Sequence, residues 1–365
     1  METFRNIFLA IFFYIFVFYE NYIAQSETTK DSIQWEIFPI INYDTDVGFG
    51  YGVKGFLYNL LNSEESFDVT IYNSTKSERW YQFVFSYPDM QRRLGKKYNF
   101  AVDFTIDYDK YINYLYYPIE NDIYYSLSNY EYLPLKESEE YIREPIEIKT
   151  IFSRAFTNNF IAELGIQYRS ISCYNFDSEG ILQYKKPSLV DHISFLFNFR
   201  IDSRTNFINP KNGILIQINN EYAVSTKSEV NNFYKADFIF QSYFKIFHPD
   251  IISATRLKLQ DILGLEENNY QNLLFLGGNN SLRGLPQSRY LSQSSILLNQ
   301  EIRFPIYKRF GGIVGLDAGN STSTPKWILN PLVGLRFNMD NFIVRFDVGF
   351  GNNNTGIYFN FGHLF

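Results

Sequence analysis

Residues 192–202 read HISFLFNFRID. In an extended chain Ile193, Phe195, Phe197, Phe199 and Ile201 point one way, and His192, Ser194, Asn198, Arg200 and Asp202 point the other. Side chains alternate across a strand, so this is a strand with one apolar and one polar face. Residues 341–350, NFIVRFDVGF, repeat the pattern, with Phe342, Val344, Phe346, Val348 and Phe350 opposite Arg345, Asp347 and Gly349. A soluble sandwich would bury the apolar face against a second sheet. A transmembrane barrel turns that face to lipid and keeps the polar face in a wet lumen. Alternation alone does not separate the two; export, strand number and loop asymmetry do.

The rest of the chain has the same character. Aromatics make up 19% of its 365 residues, with 37 Phe and 30 Tyr against three Met and three Trp, a composition suited to strands. Mean hydropathy is −0.22, and after the N-terminus no stretch looks like a membrane helix. A net charge of −6 argues against nucleic acid as a partner. The single cysteine, Cys173, excludes an internal disulfide and a cysteine-based zinc cluster. The scattered His192, His248 and His363 argue against a histidine-rich metal site, and no cofactor is expected.

At the N-terminus, NIFLAIFFYIFVFY is an apolar run of about fourteen residues, short for a membrane span and suited to a signal-peptide core. Arg5 precedes it, and Ala24 and Ser26 supply small residues for cleavage before Glu27. The expected organisation is a signal peptide over 1–26, a short periplasmic segment over 27–33 and a barrel over 34–365.

Alternating runs separated by turn-forming residues divide 34–365 into sixteen strands, with 97–109, 143–157, 252–265 and 356–365 among them, and with no convincing amphipathic helix. The number is even, and most strands are near the ten or so residues that a tilted membrane strand needs. With the first strand starting in the periplasm, several periplasmic connections are tight: 157–159, 247–251 and 338–341. The outer connections include the long segments 110–142, 175–189 and 266–291. Short periplasmic turns and long outer loops are the habit of outer-membrane barrels. The periplasmic turn PDMQRRLGKK is a long, basic exception and reads as a solvated turn. Segment 110–142, crowded with Tyr111, Tyr114, Tyr116, Tyr117, Tyr124, Tyr125, Tyr130 and Tyr132, reads as a loop capping the barrel.

The sixth outer loop contains LFLGGNNSLRGLPQSRY, residues 274–290. Two later strands carry acids on their polar faces: Glu301 beside Arg303, and Asp317 between Gly315 and Gly319. If the loop folds into the lumen, Arg283 can meet Asp317 with Glu301 next to it, as a guanidinium–carboxylate pair. The glycines allow close approach.

These features resemble the BamA/TamA superfamily of outer-membrane barrels, also called bacterial surface antigens. That family carries Arg-Gly at the tip of loop six, tucked into a sixteen-stranded barrel and held by an acid on strand thirteen. Arg283-Gly284 match the first and Asp317 the second, while EIRFPI is similar to the strand-twelve pattern. The turn DSRTNFINPKNG, with Asp202, Arg204, Pro210 and Gly213, resembles the family's turn motif. FNFGHLF, with Phe359, Phe361, Gly362 and Phe365, resembles its C-terminal assembly signal. The likeness is sharp over about 190–365 and diffuse before that. Leu282 and Leu285 flank the Arg-Gly where the family usually has a β-branched residue and an aromatic. Nor is a POTRA domain expected in the short segment before strand one.

The resemblance implies a protein of the bacterial outer membrane that assists insertion or passage of proteins or lipids. Its partners would be outer-membrane lipid, the barrel-assembly machinery during biogenesis and a separate periplasmic protein. Pro39, in the first strand, cannot donate to a ladder and marks either a weak seam or an ordinary bulge. The alternative function is a passive pore or surface-exposed binding protein that keeps only the barrel. No serine-hydrolase elbow, zinc-protease helix motif or phosphate loop is present, so an enzyme is not expected.

Overall fold

In the computed structural model the described residues are 33–365, apart from 77, 119–136, 178–179, 186–187, 208, 228–229, 267–268, 325, 340–342 and 362–363. The strands are β1 (Gln34–Asp44), β2 (Gly48–Tyr58), β3 (Ser66–Ser74), β4 (Glu78–Tyr87), β5 (Tyr98–Tyr116) and β6 (Glu139–Ala155). Next come β7 (Phe160–Tyr174), β8 (Leu189–Asp202), β9 (Gly213–Ser225), β10 (Phe233–Ile246), β11 (His248–Leu263), β12 (Leu274–Leu276) and β13 (Tyr290–Ser292). The last are β14 (Ser294–Tyr307), β15 (Phe310–Ser321), β16 (Ile328–Asn338), β17 (Ile343–Gly351) and β18 (Asn354–Phe361). Sixteen of them close one antiparallel barrel in which neighbours in sequence are neighbours in space. β11 pairs with β14 across the small β12–β13 hairpin of loop six, and β1 meets β18. Closure leaves few backbone groups unpaired in lipid, which is what a strand-built membrane protein requires.

Register sets the two faces. On β8, Ile193, Phe195, Phe197 and Ile201 are exposed on the outer wall, while His192, Ser194 and Asp202 are buried inside. On β17, Arg345, Asp347 and Gly349 face in, and Phe346 and Phe350 face out; Phe342 lies outside the described residues. The one α-helix among the described residues is a single turn, Met90–Arg93, within the basic periplasmic turn. It is capped by Asp89, and Arg93 pairs with Asp103.

Four strand ends differ most from the sequence reading. β5 runs on to Tyr116 and β6 begins at Glu139, so Tyr111, Tyr114 and Tyr116 belong to a strand rather than a loop. Aromatic packing carries the ladder upward: the rings of Tyr114 and Tyr141 meet edge-on at 5.6 Å, and those of Tyr141 and Tyr270 at 5.9 Å. With Ile171, Leu182, Val190, Phe233, Leu274 and Leu291 these tyrosines form an apolar core filling the outer end of the barrel. Tyr124, Tyr125, Tyr130 and Tyr132 lie outside the described residues, as do 1–32 with the expected signal peptide. β11 reaches back to His248, so the 247–251 turn shrinks to Phe247, whose φ is +57°. Finally, β18 ends at Phe361 instead of continuing to Phe365.

Candidate functional site

Loop six descends from β11 into the lumen and returns to β14. Its β12–β13 hairpin holds the two limbs together, and the Gly278 amide donates to the Leu285 carbonyl at 2.9 Å to close the tip. Leu282 and Leu285, the two positions that depart from the family pattern, are both buried. They pack with Leu276 and Leu297 into a small apolar seat that points the tip inward.

Arg283 is completely buried at that tip. Its Nε and Nη2 donate to the two oxygens of Asp317 at 2.8 and 2.9 Å, the bidentate geometry for which guanidinium is suited. Nη1 donates to Glu301 at 2.8 Å and to Asp347 at 2.9 Å. The Arg283 amide also donates to Asp317, at 3.1 Å, and the Arg283 carbonyl accepts from Asn330 at 2.9 Å. The acids lie on β14, β15 and β17, so a single side chain ties three strands of the wall to the loop. Other arginines share the acids: Arg303 donates to Glu301 at 2.9 Å and Arg336 to Asp347 at 2.5 Å. Asn299 donates to Asp317 at 2.6 Å and to the Ser281 carbonyl at 2.9 Å.

Gly284 sits against the wall with φ +98°, and its amide donates to the Tyr358 hydroxyl at 3.0 Å. A Cβ there would come within 2.6 Å of the Gly351 amide nitrogen, so both the backbone conformation and the space demand glycine. At the outer side of the loop, the Gln287 amide donates to Asp46 in the β1–β2 turn at 2.7 Å, and Ser288 donates to the Leu115 carbonyl at 2.9 Å. Burial raises the Asp46 carboxyl above its ordinary pKa, and the Gln287 amide opposes that rise.

The remaining residues singled out from the sequence lie elsewhere. Asp202 and Arg204 form a bidentate pair at 2.7 and 2.9 Å in the periplasmic β8–β9 turn, where Pro210 is buried. Gly213 closes that turn at φ +107°. Pro39 is exposed on β1. Phe359 and Phe361 take outward positions on β18, and Gly362 and His363 are outside the described residues.

Phe365 requires a correction. The alternation of a continuing strand assigns it to the lipid face, but the ladder stops at Phe361 and Phe365 is buried inside the barrel against Tyr243, Ile252 and Ala254. Arg256 and Arg303 each place a guanidinium 5.3 Å from its ring, and Arg303 donates to its main-chain oxygen at 2.9 Å. Arg303 therefore joins the Glu301 cluster to these last residues. Asp347 and Tyr358 were not picked out as partners of loop six. Asp347 had a visible signal, its polar parity in RFDVGF, whereas nothing distinguishes Tyr358 among so many aromatics.

The arrangement is a lock that fastens the loop tip to the inner wall. Among the described residues no group of three or more His, Cys, Asp or Glu side chains is placed to hold a metal ion. Residues 59–365 match the family model described as an Omp85 superfamily domain. Among solved structures the chain is similar to BamA from Haemophilus ducreyi lacking POTRA domains 1–3, with TM-score 0.65 and 13% identity over 90% of this chain and 70% of that one. It is similar to CdiB from Escherichia coli, with TM-score 0.63 and 13% identity over 90% of this chain and 62% of that one. For CdiB from Acinetobacter baumannii the TM-score is 0.56, with 13% identity over 91% and 66% of the two chains. At such identities the likeness is one of fold. No curated protein matches the sequence.

Proposed function

The chain belongs to the Omp85 superfamily, and from that premise we propose that it assists insertion or passage of proteins or lipids at the bacterial outer membrane by opening its wall between β1 and β18. The supporting observation is the inequality of the two ladders that β1 makes. With β2 it shares a continuous register from Gln34–Tyr58 to Asp44–Gly48. With β18 it shares two register pairs, Tyr43–Phe359 and Asp44–Tyr358. Just beyond them, Ile357 donates to the Thr45 hydroxyl at 2.8 Å. Below Tyr43 the edge of β1, including Pro39, has no β18 register partner among the described residues: the shared ladder stops at Phe359, although β18 continues beside β17 to Phe361, and Phe365 lies inside the barrel. Proline is tolerated on such an edge, and an open edge is a template for a further strand.

In this reading loop six keeps the wall in shape while the seam yields. A passive pore has less support, since the tip of loop six and Phe365 both sit in the lumen. The test is a disulfide across the seam, Tyr43→Cys with Phe359→Cys, at directly opposed positions within bridging reach. The oxidised barrel, reconstituted in phospholipid vesicles, should stop promoting insertion of an unfolded outer-membrane barrel chain, and reduction should restore it. Undiminished insertion by the oxidised form would overturn seam opening.

A further inference from the structure

On the periplasmic halves of β5, β6 and β7, Arg154 on β6 is a charged side chain at an outward position among apolar and uncharged neighbours. Ser153 and Ala155 beside it are buried inside, so Arg154 points to the lipid side, and it is exposed there. Its guanidinium lies 5.1 Å from the ring of Phe156. Directly across the β7 ladder stands Ala162, whose small side chain leaves the guanidinium uncovered. Aromatic pairs flank it, with Phe100–Phe152 centroids 6.1 Å apart on one side and Phe156–Phe160 centroids 5.7 Å apart on the other. In the adjoining turn Lys96 and Lys97 are exposed, and the register of Tyr98 with Ala155 brings Lys97 level with Phe156. Among the described residues none of these three cations makes an ion pair.

A guanidinium on a lipid-facing wall is costly at mid-bilayer and tolerated near the interface, where the head group lies. Arginine presents a fork of donors that matches a phosphate bidentately, and exposed aromatic rings settle at the same depth. We infer that Arg154, Lys96 and Lys97 form a head-group site for an anionic glycerophospholipid of the periplasmic leaflet, with its phosphate on Arg154 and its acyl chains along Phe100, Phe152 and Phe156. Charge complementarity selects this occupant, because the apolar frame is continuous with the lipid-facing belt and the cations lack protein counter-charges. The site is independent of the seam and of loop six.

The test uses the full barrel in neutral detergent, offered phosphatidylglycerol or phosphatidylcholine, with retained lipid counted by native mass spectrometry. The wild type should retain phosphatidylglycerol preferentially. Arg154→Gln should lower that retention about five-fold, Lys96→Gln with Lys97→Gln should lower it further still, and Arg154→Lys should keep part of it. Folding of each variant is read from its heat-modifiable gel mobility. If Arg154→Gln does not fold, the lysine pair, lying in a turn, decides the question. Equal retention of both lipids by the wild type, or unchanged preference in the folded variants, would overturn the site.

Discussion

Replacing Arg283 with alanine should release loop six from the lumen and leave the barrel closed. The cost follows from what each acid keeps. Glu301 retains Arg303 at 2.9 Å, and Asp347 retains Arg336 at 2.5 Å. Asp317 loses its one ion pair among the described residues and is left, fully buried, with two neutral donors, the side-chain amide of Asn299 at 2.6 Å and the main-chain amide of residue 283 at 3.1 Å. Breaking a buried pair from one side costs about 3–5 kcal/mol. With two of the three acids still paired, the lower end applies, about 3 kcal/mol, which raises the open population of the loop roughly a hundred-fold. Trypsin reads this at the Arg289–Tyr290 bond, in the limb that rises from the tip. Where opening is fast relative to cleavage, the rate follows the open population. The variant should be cut there about a hundred-fold faster and keep its heat-modifiable mobility, since no wall register passes through Arg283. Adding Asp317→Asn removes the stranded charge and should slow the cut again. A charge swap of the pair should not, because an aspartate at 283 would face Glu301 and Asp347. Cleavage of Arg283→Ala at the wild-type rate would refute the account.

Gly284→Ala should open the same bond to trypsin, because its Cβ meets the backbone of Gly349 and Gly351 at 2.6–2.8 Å and its φ is +98°. Unchanged protection would mean that the wall yields. Phe365→Ala should act on assembly and packing separately: pulse-chase fractionation should show slower arrival in the outer membrane, and the folded remainder should conduct more in planar bilayers as Tyr243 and Ile252 lose their lumenal partner. Wild-type values in both measurements would remove Phe365 from either role.

Much of this was legible in the residues because a strand that faces two solvents must alternate. HISFLFNFRID declares its faces without tertiary information, and the same parity sends Glu301, Asp317 and Asp347 inward. Parity does not say how many acids one guanidinium will collect; that depends on stagger between strands, so the third partner, Asp347, went unassigned. It also fails where a strand stops. Phe365 has the outward phase of Phe361, yet four residues on the chain has left the ladder and Arg303 holds it inside. The tyrosines of 110–142 misled in the opposite sense, since aromatic rings serve a strand rising beyond the membrane as well as they serve a loop.

The contacts of loop six also bear on the order in which the chain can fold. Arg283 reaches Glu301, Asp317 and Asp347 at separations of 18, 34 and 64 residues, and Gly284 reaches Tyr358 at 74. Gln287 bonds Asp46, 241 residues earlier. Contacts so distant in sequence form late, after the entropy of closing the intervening chain has been met. Arg283 cannot satisfy its partners until β17 is in place, nor Gly284 until β18 is, while Gln287 waits on the first hairpin. Docking of the tip therefore registers that both ends of the chain have arrived, and a barrel halted one strand short would carry an undocked, protease-sensitive loop as the mark of its incompleteness.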